Sequence, residues 1–383
     1  MAVTMSELSG LTILQVLPAL ETGGVERGTV EMVQAIVRAG GNALVASAGG
    51  RLVAAVERAG GTHITMQLAS KNPARIWRNA SHLAFLIRAA EVDIVHARSR
   101  APAWSSWLAC RKTGARFVTT WHGVYKENAP GKRRYNAVMA RGERIIAISQ
   151  FVAAKLKARH QVDPARLRVI PRGVDTALFD PAVVTGERMA RLAAQWRLPD
   201  GAPTIMLPAR LTRWKGHGVM LDALARMQRR DAVLVMVGAE QGRARYRREL
   251  LARAEALGIS HRVRLVGHVD DMAAALMLAD VVANPSIEPE PFGRTVVEAQ
   301  AMGRPVVVSD AGGTAETVEH GVTGWRVRPG DPGALAATID VILGLDPAAR
   351  AALAARARAS VCAHYTTAKM QAATLEVYRE LLA

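Results

Sequence analysis

From residue 11 to residue 327, short runs rich in Val, Ile and Leu alternate with longer stretches of helical period. No other feature restricts the fold as much: strands this short and uniformly apolar fit parallel sheets whose two faces are covered by helices. In the first half the predicted strands are Leu11–Val16, Ala43–Ser47, His63–Gln67, Ile94–His96, Phe117–Trp121, Ile145–Ile148 and Leu167–Ile170, with helices such as Glu26–Arg38 and Pro102–Lys112 between them. In the second half they are Thr204–Pro208, Val233–Val237, Val263–Val266, Val281–Ala283, Val306–Ser309 and Trp325–Val327. The fold class is α/β. A chain of 383 residues is long for one core, so two Rossmann-like α/β/α domains facing each other across a cleft are expected. The link is placed near Pro171–Pro181, which holds Gly173 and two prolines. The first domain is then 1–171 and the second 172–365. A last helix within 366–383 carries Met370, Ala373, Leu375, Val377, Tyr378 and Leu381, and is expected to pack back on the first domain.

Charge is divided unevenly between the halves. Residues 1–171 hold 24 Lys and Arg against 10 Asp and Glu, and the remainder 26 against 23, so the first half carries nearly all of the net +17. Such a half is expected to face something anionic: a membrane surface, an acidic glycolipid or nucleic acid. Aromatic residues make up only 4% and no nucleic-acid-binding module is visible, which argues against nucleic acid. The apolar runs Ala232–Val237 and Met272–Ala279 are far shorter than the roughly 20 residues of a membrane-spanning helix. Glu7, with no basic residue before Leu11, argues against a secretory signal. Cys110 and Cys362 are read as two buried reduced thiols.

The segment Asp280–Gly313, DVVANPSIEPEPFGRTVVEAQAMGRPVVVSDAGG, carries the most chemistry. A buried strand gives way to an acidic, Pro-rich loop with Glu288 and Glu290, and a helix starts near Gly293. Ligands of open α/β sheets bind at the carboxyl ends of strands, where this loop must lie. The amides of Phe292, Gly293, Arg294 and Thr295, at a helix N-terminus, suit sugar hydroxyls or phosphate oxygens. Glu290 and Glu298 are carboxylates able to accept from vicinal hydroxyls; alone, two such glutamates would be ordinary solvated charges. Arg210 and Lys215 follow the strand Thr204–Pro208, where cations would stabilise a diphosphate leaving group, although in isolation they would be surface charges. Gly23-Gly24 opens a helix after the first strand, and His122 ends another strand before Gly123.

Together with ARLTRWKG (Ala209–Gly216), ISQFVAAKL (Ile148–Leu156), VIPRGVD (Val169–Asp175) and GGVER (Gly23–Arg27), this segment resembles glycosyltransferase family 4, which has the GT-B fold. The matches span nearly the whole chain, in order. The resemblance implies a retaining transferase that moves a hexose from a nucleotide-diphosphate sugar, its co-substrate, to a hydroxyl, with no resident metal or other cofactor. It implies that Glu290 binds the donor sugar, that the Phe292–Thr295 amides support its hydroxyls, and that Glu298 holds the ribose. Arg210 and Lys215 would hold the diphosphate, Gly24 would approach it, His122 would contact the donor sugar and Glu26 would lie nearer the acceptor. Arg172 stands where many members have Asn. The stretch Trp121–Ser149 is similar to lipopolysaccharide-core sugar transferases of alpha-proteobacteria, so the expected acceptor is a glycolipid or oligosaccharide of the cell envelope. A same-fold epimerase or phosphorylase is the rival enzyme reading. Two basic clusters, Lys126, Lys132, Arg133, Arg134, Arg141 and Arg144, then Lys155, Lys157 and Arg159, are expected to dock the enzyme on anionic lipid at the inner face of the cytoplasmic membrane. Phe151, Val152 and Leu156 would supply an apolar edge; the plainer reading is a pair of solvated helix faces.

Overall fold

The computed structural model describes residues 8–21, 23–125 and 127–382, so Glu7 and Lys126 lie outside the described residues. The chain divides into two compact units, Met1–Arg172 with Thr367–Ala383, and Gly173–Thr366.

The first unit is built on seven parallel strands: β1 (Thr12–Val16), β2 (Asn42–Ser47), β3 (Thr62–Thr65), β4 (Ile94–Ala97), β5 (Arg116–Trp121), β6 (Arg144–Ala147) and β7 (Leu167–Val169). Their order is β3-β2-β1-β4-β5-β6-β7. The second unit has six: β8 (Thr204–Pro208), β9 (Val233–Val237), β10 (Val263–Gly267), β11 (Val281–Asn284), β12 (Val306–Ser309) and β13 (Trp325–Val327), in the order β10-β9-β8-β11-β12-β13. All five residues of β1, β8 and β9 are buried, as expected of strands sandwiched between helices. In each sheet the strand order reverses once, between β1 and β4 and between β8 and β11. The crevice beyond the strand ends at such a point is where this class of sheet receives ligands.

The helix Thr367–Leu382 belongs to the first unit. Met370, Leu375, Val377, Tyr378 and Leu381 join that unit's core, and Tyr378 Oη lies 2.7 Å from His96 Nδ1 on β4. Glu380 pairs with Arg144 and Arg168 at 2.8 and 2.6 Å. Ala373 is exposed, contrary to the sequence reading. Thr374 takes the inward place, its hydroxyl satisfied by the Met370 carbonyl at 2.8 Å. A second correction concerns the thiols: Cys110 is buried but Cys362 is exposed. Val361, its neighbour on the Pro347–His364 helix, is the residue turned to the core.

Candidate active site

In the second unit the turns after β8 and β11 are brought together by a glycine. Gly216 sits at φ +76°, and a Cβ there would collide with the Pro285 carbonyl, so only glycine lets the two turns approach. Ile287 N–H donates to the Trp214 carbonyl at 2.8 Å and fixes the contact. One consequence is that Lys215 Nζ reaches Glu290 Oε1 and forms an ion pair with it, both side chains being largely buried. The same carboxylate oxygen lies 2.9 Å from Ser286 Oγ and 3.3 Å from Asn284 Nδ2. The Glu290 backbone is anchored in turn, its carbonyl accepting from Gly313 N–H at 2.6 Å. Three neutral or cationic groups therefore hold one carboxylate in a single orientation.

Phe292 is buried edge-on against Tyr365, with ring centroids 5.8 Å apart. Gly293, at φ +86°, is the N-cap of the helix Arg294–Ala301. A Cβ at Gly293 would strike the Thr314 methyl. Glu298 is buried, with Arg294 Nε 3.2 Å from Oε1. Sequence reasoning gave Arg294 only an amide; the structure also gives its guanidinium a carboxylate partner. Arg210 is exposed. Arg213, which lies between Arg210 and Lys215, pairs with Glu249 and stacks 4.9 Å from the Tyr246 ring centre.

The first unit gathers cations at its own point of reversal. Gly23 caps the helix Gly24–Arg38, and a Cβ there would meet the Glu26 carboxylate, which folds back over the cap. Arg172, buried, donates to the Gly24 carbonyl, and a Cβ at Gly28 would collide with its guanidinium. The Arg that departs from the family pattern thus has a partner position one helical turn beyond Gly24. Arg98, also buried, donates to Gln15 Oε1 at 2.8 Å, and Gln15 Nε2 donates to the Thr29 carbonyl at 3.1 Å. Among the described residues, the buried His122 Nε2 has no hydrogen-bond partner, and neither has Arg98 Nε. Burial first, then Arg172, Arg98 and His96, holds the His122 pKa well below the ordinary imidazole value. His122 is accordingly neutral at pH 7, able to donate or accept one hydrogen bond. Neither Arg98 nor the buried role of Arg172 was found from the sequence, where an arginine is ordinarily a surface residue.

A cavity of about 560 Å³ in the first unit is lined by Lys71, Arg100, Tyr125, Lys132 and Tyr135, with no carboxylate among its lining residues. Arg100 is held by Asn136 Oδ1 at 2.9 Å and stacks 4.0 Å from the Tyr125 ring centre. Of the two basic clusters, Lys132, Arg133, Arg134, Lys155 and Lys157 are all exposed. Arg133 donates to the Arg159 carbonyl, which links the two clusters. The proposed apolar edge is a correction. Val152 and Leu156 are 1% exposed and turn inward toward Trp121, because the Gln150–His160 helix must cover the sheet beside β6.

Residues 22–178 match the family model described as Glycosyltransferase Family 4, and residues 189–360 the one described as Glycosyl transferases group 1. A D-inositol 3-phosphate glycosyltransferase of Jonesia denitrificans is 33% identical over 285 residues, spanning 70% of this chain and 66% of that relative. A glycosyltransferase structure from Rickettsia africae is 38% identical, with a TM-score of 0.90 over 97% of this chain and 98% of its own. The Anabaena HepE structure, solved with UDP and glucose, superposes with a TM-score of 0.84 at 24% identity, over 97% and 100% of the two chains. The fold is GT-B, and the chain belongs to glycosyltransferase family 4.

Proposed function

We propose that this glycosyltransferase moves a hexose from a nucleotide-diphosphate sugar, with retention, to a hydroxyl of an anionic cell-envelope glycolipid or oligosaccharide. The observation that carries the reading is the Lys215–Glu290 pair at the β8/β11 point of reversal. In this reading the donor sugar's hydroxyls exchange into the Glu290 carboxylate, while Lys215 and the exposed Arg210 take the diphosphate as its charge grows. The Phe292–Thr295 amides support the sugar, Glu298 holds the ribose, and neutral His122 hydrogen-bonds a donor hydroxyl. Gly24 gives backbone access to the diphosphate, and Glu26 lies toward the acceptor. Glu290 already accepts from Lys215, Ser286 and Asn284. It therefore suits positioning more than covalent attack, and the departing phosphate takes the acceptor proton. Charge neutralisation by protein cations leaves no step for a resident metal.

The cavity lined by Lys71, Arg100 and Lys132 supports an acceptor bearing phosphate or carboxylate, and the Jonesia relative is named for a phosphorylated acceptor. The enzyme would work peripherally on the cytoplasmic face of the inner membrane, in lipopolysaccharide core or related glycan assembly. The test is nucleoside-diphosphate release from a panel of donors, with and without phosphorylated and neutral acceptors, in the presence of EDTA. Acceptor-dependent release, retained anomeric configuration and a lower KM for the anionic acceptor are expected. Sugar isomerisation without release would instead show an epimerase, and phosphate-dependent release without transfer a phosphorylase.

A further inference from the structure

The helix Pro73–Ala89 presents an unusual outer face. Trp77 and Phe85 are 63% and 75% exposed, the highest values among the large apolar side chains of the described residues. With roughly 100° per residue, Trp77, Arg88, Ser81, Ala74 and Phe85 fall within about 80° of one another, and Arg78, His82 and Arg75 complete the exposed arc. The opposite face, Ala80, Leu83, Ala84 and Ile87, is buried. Trp77 and Phe85 therefore cannot turn inward.

The charges on the helix itself are all of one sign, and the nearest acid along the chain is Glu91, exposed beyond its C-terminus. The helix carries Arg75, Arg78 and Arg88 and no Asp or Glu, and its cap is the neutral Asn72, whose side chain accepts from the Ala74 and Arg75 amides. Lys71 precedes the cap. Lys112, from the neighbouring helix, sits 4.3 Å from the Trp77 ring centre, and Arg88 ties to the Lys112 carbonyl at 3.0 Å. An aromatic stripe on a helix whose own charges are all cations is the pattern of a helix lying in a lipid–water interface: Trp and Phe enter the acyl boundary and Arg and Lys meet phosphate.

We infer that the Pro73–Ala89 helix is the surface by which this protein docks on an anionic bilayer, in place of the Gln150–His160 helix, where Val152 and Leu156 are buried and Phe151 is partly exposed. Charge complementarity commits the face to anionic lipid. Lys71, which adjoins this helix, also lines the cationic cavity, so a lipid-linked anionic acceptor would meet both from one membrane surface. The inference concerns docking alone and holds whichever sugar is transferred.

The experiment is co-sedimentation of the full chain with phosphatidylcholine vesicles, with and without phosphatidylglycerol. Binding to the anionic vesicles only is expected, falling steeply with salt. Trp77→Ala/Phe85→Ala should lower partitioning about tenfold or more, through lost apolar insertion. Brominated-acyl lipid should quench fluorescence of the parent but much less of Trp77→Phe, a variant that keeps the helix and its apolar face. Lys155→Glu/Lys157→Glu should weaken binding less than Arg75→Glu/Arg78→Glu. Equal binding to neutral vesicles, undiminished binding of the Trp77/Phe85 double variant, or quenching that survives Trp77→Phe would overturn the inference. So would a concentration-dependent dimer in sedimentation equilibrium that the double variant abolishes, with no vesicle binding by the parent; the stripe would then be a self-interface. Each of these outcomes leaves the nucleoside-diphosphate release assay unaffected, so a failed docking surface is distinct from a failed transferase.

Discussion

At the scale of single residues, the second unit's site is governed by what a buried carboxylate requires. Glu290 is 5% exposed, and a carboxylate so placed needs a cation or several donors. Lys215 supplies the cation. In the proposed function, removing it costs twice: the diphosphate loses a charge partner, and Glu290 loses a group that orients it. Lys215→Ala and Arg210→Ala are each expected to lower turnover roughly 10²-fold, the usual loss when one charge-stabilising donor is removed. Only Lys215→Ala should also reduce stability, because Arg210 is exposed and Lys215 is not. Steady-state kinetics beside thermal melts separate the two effects. Near-normal turnover in a folded variant would remove that residue from the mechanism. Glu298→Gln keeps the shape of the side chain but removes its charge toward Arg294. It is expected to weaken nucleotide-sugar binding, measured calorimetrically, while the fold survives. The placement of Lys215, Glu290 and Glu298 was readable from the sequence because their spacing around strand ends is fixed by the motif. Arg98 and Arg172 were not, since burial of a guanidinium depends on partners such as Gln15 and the space left by Gly28, which no local pattern announces.

At the scale of elements, the terminal helix shows how a local charge reports a tertiary contact. Glu380 hydrogen-bonds Arg168, and that bond, followed by Arg144, holds its pKa below the ordinary glutamate value. A depressed folded pKa stabilises above the unfolded value of about 4.5 and loses that stabilisation as pH falls through the folded one. The groups are partly solvated, so the contribution is discounted to about 1 kcal/mol. Glu380→Gln should therefore lower the melting temperature at pH 7, and the difference from the parent should shrink as pH falls below the unfolded value and vanish below the folded one. A difference unchanged by acid would mean that packing, and not charge, is responsible. The strands and this helix were legible because their apolar periods differ: runs of three to six for the strands, a 3.6-residue stripe for the helix. Less legible was which side of a short amphipathic helix faces in. In Gln150–His160, Val152 and Leu156 looked free to enter lipid, yet the sheet needed them. In Pro73–Ala89, Trp77 and Phe85 could have passed for core residues, and only packing shows that Leu83 and Ile87 fill that role.

At the scale of the whole molecule, the two units differ in how they are closed. Gly173–Thr366 draws its core from a continuous stretch of chain, whereas the first unit borrows its last helix from the far end of the sequence. Met370, Leu375, Val377, Tyr378 and Leu381 are all buried in the first unit. Each large apolar side chain is worth about 1.5–3 kcal/mol on burial, and a domain's net stability is only about 5–15 kcal/mol. Losing five of them therefore removes most or all of that margin. Truncation would also strip the hydroxyl partner from His96 Nδ1 in the core, at about 1–3 kcal/mol. The expected result of ending the chain at Thr366 is selective. Calorimetry of the parent should resolve into contributions from both units, and the truncated chain should lose the first unit's transition while keeping the second's. Nucleoside-diphosphate binding, which the proposed site draws mainly from Arg210, Lys215, Glu290 and Glu298, should persist at reduced affinity, whereas transfer to acceptor should disappear. If truncation instead lowered a single shared transition, the two units would fold as one cooperative body. The terminal helix would then be a general stabiliser, not the closing element of one sheet.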